Sequence, residues 1–101
     1  MKYNKLVRDK IPEIIKRNNQ TPITHIADDK EYWDKLKEKL TEEINEFLQE
    51  SNAKELADIL EVIYAICEYI GVNNEELEKI RFKKLEERGN FSKRIILDEA
   101  E

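Results

Sequence analysis

Glycine and proline are almost missing from this 101-residue chain, with two of each. That scarcity argues against a turn-rich all-β fold and leaves few points at which a helix must break. One cysteine, Cys67, excludes an internal disulfide; it falls in an apolar run and reads as a small core residue. One histidine, His25, has no second histidine or cysteine at metal spacing, which favours a surface or pairing role over a catalytic one. No apolar run is long enough to span a bilayer and no signal-peptide pattern is present, so a cytoplasmic location with no membrane partner is expected. An excess of positive charge is also lacking. Eighteen Lys and Arg stand against 23 Asp and Glu, a net charge of −5, which argues against a nucleic-acid binder. The charges are segregated, however, with cations clustered near the ends and acids in the middle, and this leaves room for a small phosphorylated ligand.

What is present is a chain 41% charged and 40% hydrophobic, without internal repeats, which suits one helical domain over residues 1–101. Its organising stretch is Thr41 to Glu61, TEEINEFLQESNAKELADILE. Glu43 and Glu46 are three apart, as are Glu55 and Asp58, and residues at i and i+3 share one side of a helix. Glu50-Ser51-Asn52-Ala53 reads as a break between two helices. A reversal there brings Glu46 toward Glu55 and Glu43 toward Asp58. Four converging carboxylates repel one another unless a divalent cation sits among them, and hard oxygen ligands suit Mg²⁺, with Mn²⁺ the alternative.

Periodicity supports the selection of these four. Trp33, Leu36, Leu40, Ile44, Phe47 and Leu48 recur at three and four, in a helix expected to run from a cap at Asp28 or Asp29 to about Glu50. Glu43 projects inside the edge of that stripe, close to Leu36. Glu46 lies just past the edge and Glu42 further round. In the next helix, Ala53 to Ile70, Leu56, Ile59, Leu60, Val62, Ile63, Ile66, Cys67 and Ile70 cover more than half the circumference. Glu55 falls among them and Asp58 on their border. A carboxylate on an apolar face needs a cation or a proton. The competing reading is a salt-bridged helix surface, with Lys39–Glu43 and Lys54–Asp58 as i,i+4 pairs.

The flanks are simpler. A short helix is expected around Ile11, Pro12, Ile14 and Ile15, capped by Asp9 and ended by Asn18-Asn19. Ile23-Thr24-His25-Ile26 is short and β-branched, and Arg94-Ile95-Ile96-Leu97 is similar, so a minor two-stranded ribbon between 23–26 and 94–97 is expected. Gly71 is a helix stop, and Asn73 or Asn74 caps a last helix whose cations, among them Lys83, Lys84 and Arg88, gather near its C-terminal end. Trp33 is expected in the core. The Ala53–Ile70 helix has more apolar surface than its short neighbours cover, which predicts a homodimer or higher even homo-oligomer.

Glu42-Glu43-x-x-Glu46 followed by Glu55-x-x-Asp58 resembles the EExxE…ExxD signature of the all-α nucleotide pyrophosphohydrolases, the superfamily of MazG, dimeric dUTPases and phosphoribosyl-ATP pyrophosphohydrolase. The opening Tyr3-Asn4-Lys5-Leu6-Val7-Arg8-Asp9-Lys10-Ile11-Pro12 and the later Glu87-Arg88-Gly89-Asn90-Phe91 resemble a small single-domain branch of it, phosphoribosyl-ATP pyrophosphohydrolase-like. The resemblance implies an all-α antiparallel helical bundle and Mg²⁺-dependent hydrolysis of a nucleotide between its α- and β-phosphates, giving a monophosphate and pyrophosphate. It implies Glu43, Glu46, Glu55 and Asp58 as metal ligands, with Glu61 the alternative in another register. Glu42 or Glu46 would then orient or deprotonate the attacking water, and Lys5, Arg8, Lys83, Lys84 or Arg88 would meet the substrate phosphates. The reading from another class is a non-catalytic helical module that senses nucleotides or binds a partner.

Overall fold

The computed structural model describes residues 3–101; Met1 and Lys2, the latter one of the opening cations, lie outside the described residues. Four helices form and no strand is found among the described residues: α1 Ile11–Arg17, α2 Asp29–Gln49, α3 Ala53–Ile70 and α4 Asn74–Arg88. The protein is all-α. No helix among the described residues is long and apolar enough to cross a membrane.

Three helices begin at a side-chain cap. Asp28 accepts a hydrogen bond from the Glu31 backbone N–H at 2.8 Å, Asn52 from that of Glu55 at 3.1 Å and Asn73 from that of Glu76 at 2.9 Å. Each cap satisfies one N–H that the first turn leaves without a partner. The expected Asp9 cap of α1 does not form. The residue before the helix is Lys10, already in the right-handed helical region and making no side-chain cap bond. The Ile11 N–H is met instead by the Arg8 carbonyl at 3.0 Å, and Pro12 has no N–H to satisfy. At the end of α3, Gly71 takes φ 82°, where its missing Cβ removes the strain, and the Val72 N–H closes back on the Cys67 carbonyl at 2.8 Å.

Helices α2 and α3 form an antiparallel hairpin across Glu50-Ser51-Asn52, and α4 packs only lightly on α3. The core is small. Leu36, Val62 and Cys67 are its buried apolar residues, and Leu36 retains 1% exposure. Trp33 is partly buried, stacked on Tyr69 at 5.0 Å and 12° with the Lys37 ammonium 5.1 Å from its ring centre. The radius of gyration is 18.0 Å and the extents are 60 × 31 × 24 Å, against about 13 Å for a compact 100-residue domain. Leu48, Leu56, Leu60 and Ile70 remain exposed on this chain.

The two-stranded ribbon is a correction. Residues 23–26 and 94–97 form no bridge; Ile23 and Ile26 are 98% and 96% exposed, and residues 95–97 are nearly as open. An isolated pair of strands is marginal in water without a third strand or a helix to cover one face, and neither segment has such cover. β-branched composition alone therefore did not make a strand. His25 does find a pairing role, its Nε2 lying 2.8 Å from Glu31 Oε1.

Candidate metal centre

The hairpin brings three carboxylates together. Glu43 from α2 and Glu55 and Asp58 from α3 each offer one oxygen, and these oxygens lie within 4.8 Å of one another. The local cause is helical phase. Glu43 sits one turn from Lys39 and two from Leu36, on the face that α2 turns toward α3. Asn52 starts α3 at a register that turns Glu55 and Asp58 back toward it.

Glu43 is the only charged residue in the buried class among the described residues, with its side chain 8% exposed. Its Oε1 lies 3.1 Å from Lys39 Nζ, while Oε2 is buried with no hydrogen-bond partner. Glu55 also has a buried, unpartnered Oε2. Asp58 is partly exposed, and its Oδ1 accepts from Arg8 Nη2 at 2.7 Å. Glu42 faces the same surroundings from the side, 3.5 Å from both Lys5 Nζ and Lys39 Nζ.

Glu46 differs from expectation. It is exposed and stands outside the gathered trio, three residues beyond Glu43 and past the edge of the apolar stripe. It still feels the cluster. The Glu43 carboxylate beside it is the main reason its pKa is raised, followed by desolvation and the charges of Glu55 and Glu42. The last turn of α2 holds no basic residue, so nothing there offsets this accumulation of negative charge.

Of the five cations expected at phosphates, Lys5 and Arg8 reach the acidic region, through Glu42 and Asp58. Lys83, Lys84 and Arg88 do not: among the described residues they make no ion pair with the cluster, and none lines the groove beside it. That groove, about 900 Å³, runs from the arm before α1 past Glu43 and Asp58 to the start of α4, with Tyr32 and Tyr64 in its walls. Burial raises the Tyr32 pKa, helped by the nearby charges of Glu68 and Asp9. Glu61, the alternative ligand, lines the groove but is exposed and not part of the trio. The Arg8–Asp58 pair was not expected from the sequence; the salt-bridged-surface reading offered Lys54 for Asp58, while its other pair, Lys39–Glu43, does form. Fifty residues separate Arg8 from Asp58, and local spacing carries no signal over that range.

The donor set fits a hard divalent cation. All three groups are carboxylates, as Mg²⁺ and Mn²⁺ prefer. In an octahedral Mg²⁺ shell adjacent ligand oxygens stand about 2.9 Å apart and opposite ones about 4.2 Å, so three oxygens within 4.8 Å of one another would draw together to share one ion. The two unpartnered buried oxygens are what the protein's own cations leave unsatisfied.

A 41-residue stretch is 49% identical to part of an uncharacterized protein of Mycolicibacterium smegmatis, covering 41% of this chain and 42% of that protein. The matching stretch thus spans less than half the length of that relative. No family model matches the chain, and no solved structure matches it.

Proposed function

We propose that Glu43, Glu55 and Asp58 hold Mg²⁺, and that the protein is a MazG-like nucleotide pyrophosphohydrolase. It would cleave a nucleoside triphosphate, or a phosphoribosyl-ATP-like substrate, between the α- and β-phosphates. The observation that carries this reading is the pair of buried, unpartnered oxygens, Glu43 Oε2 and Glu55 Oε2, within one carboxylate cluster. Burying such groups without a partner costs stability that a surface salt-bridge network has no reason to incur. Lys39 on Glu43 and Arg8 on Asp58 favour the competing reading, a plain salt-bridged surface, yet neither satisfies these two atoms.

The bound ion would supply charge neutralisation at the phosphates and acidify a water. The chain's own residues would do the rest. Glu46, exposed beside Glu43 and with a raised proton affinity, is suited to take a proton from the attacking water. Glu42, held by Lys5 and Lys39, is the second candidate for that task. Lys5 and Arg8 stand where they can meet developing negative charge on the phosphates. The resemblance and the geometry agree on Glu43, Glu55 and Asp58 and part at Glu46, which the resemblance makes a ligand and which here stands beside the trio, nearer to the role of base.

The test is pyrophosphate release from a panel of ribo- and deoxynucleoside triphosphates and phosphoribosyl-ATP. Release that needs Mg²⁺ and stops with chelator is expected. Metal binding with silence across the panel would favour the nucleotide-sensing module; no metal binding at all would favour the salt-bridged surface.

The same reading includes self-association. The exposed Leu48, Leu56, Leu60 and Ile70 and the elongated shape suit a bundle completed by a second copy. A dimer or higher even oligomer is expected in light scattering, and a monodisperse monomer at working concentration would contradict it.

A further inference from the structure

Arg8 occupies the position of a cation at the cluster. Its Nη2 lies 2.7 Å from Asp58 Oδ1, and Asp58 is one of the three gathered carboxylates. The pair is partly solvated, with side chains 56% and 40% exposed, so it can exchange. The arm that carries Arg8 has other attachments. Lys35 Nζ donates to the Asn4 carbonyl at 2.9 Å, Lys5 lies 3.5 Å from Glu42, and Leu6 is half-buried. Losing Asp58 would therefore free the Arg8 side chain without undocking its backbone. Arg8 and Asp58 also line the same groove, so a released guanidinium would remain facing it.

We propose that Arg8 is a stand-in cation that holds Asp58 until a divalent ion takes it, and that Arg8 then turns to the substrate's phosphate groups. This rests on the reading of Glu43, Glu55 and Asp58 as a divalent site. The physical basis is competition. A guanidinium and a divalent ion on one carboxylate repel each other, and arginine cannot relieve that repulsion by deprotonating. The exchange makes Arg8 a positioning residue in two states: it keeps the empty carboxylate in place, and it becomes an anion-binding group when the cation site fills. A planar guanidinium presents paired N–H donors to phosphate as readily as to carboxylate.

Calorimetric titration of the full chain with Mn²⁺ tests this. Arg8→Gln should bind the ion about two- to five-fold more tightly, the range set by the strength of an exposed ion pair. Arg8→Lys, which keeps the charge, should return the affinity most of the way to that of the unaltered protein. Lys5→Gln removes the same charge from the same arm but pairs with Glu42, and should change the affinity less. At saturating Mn²⁺, inorganic phosphate should bind more weakly to Arg8→Gln than to the unaltered protein. A purely structural role for Arg8 would not give these opposite signs. Unchanged or weaker Mn²⁺ binding by Arg8→Gln, with the unaltered protein binding normally, overturns the exchange and leaves the metal centre standing. No ion binding by any of the proteins would remove the metal centre, and the exchange with it.

Discussion

Glu43→Gln is expected to reduce chelator-sensitive pyrophosphate release by on the order of 100-fold or more, since even an outer-shell partner of a metal ligand can cost 10- to 100-fold. Glutamine keeps the shape and removes the charge from the side chain that is most enclosed in the cluster, 8% exposed. The loss should not come from unfolding. Glu43 Oε2 has no partner, Glu46 and Glu43 repel each other, and Lys39 retains Glu42 at 3.5 Å. Relief of repulsion should leave the metal-free variant as stable as the parent or more so, and should abolish the gain in melting temperature that the proposed Mg²⁺ site would give the parent. Circular dichroism with and without Mg²⁺, beside the release assay, checks both halves. A folded variant with parental activity would sink the proposed chemistry.

Leu36→Ala is expected to cost about 2–5 kcal/mol, the range for leucine truncation in a packed core. For a domain of this size each kcal/mol lowers the melting temperature by about 4–8 °C, so thermal denaturation should show a large drop or no cooperative transition. The reason is how little core there is. Among the described residues only Leu36, Val62 and Cys67 are buried apolar residues, and Leu36 is the only large side chain below 2% exposure. Leu36 lies two turns from Glu43 on the same face of α2, and the hairpin that gathers the carboxylates depends on that face, so ion binding should fall with stability. Ile23→Ala, at a residue 98% exposed, is the control and should move stability by no more than about 0.5 kcal/mol. A Leu36→Ala protein that melts like the parent would show that the hairpin's stability lies elsewhere.

Most of the helix pattern was legible in the sequence because its signals are local. Asp28 and Asn73 were among the expected caps, and α3 begins and ends at the expected Ala53 and Ile70, whereas the Asn52 cap lay hidden in what read only as a break and the expected Asp9 cap did not form. Glu43 was legible for the same reason: its angle on the helix put it with Leu36, and both are buried. Glu46 lay only tens of degrees further round, too fine a difference for an angular projection to separate a member of the gathered trio from its neighbour. The ribbon between 23–26 and 94–97 failed because strand formation depends on a partner and a covering layer, which propensity does not report. Arg8 was counted among the cations, but its choice of Asp58 over solvent depends on where the arm docks, a tertiary fact. For Lys83, Lys84 and Arg88, composition gave the charge and the C-terminal half of α4 gave the location, away from the groove.

All three clustered carboxylates belong to one hairpin, between residues 43 and 58, and this has a kinetic consequence. Contacts so close along the chain form early, since little loop entropy opposes their closure. The repulsion among Glu43, Glu55 and Asp58 is then already present at the folding barrier, when the hairpin closes, and slows the chain's approach to it. A cation captured at that moment would lower the barrier itself, so ion binding would hasten folding as well as delay unfolding.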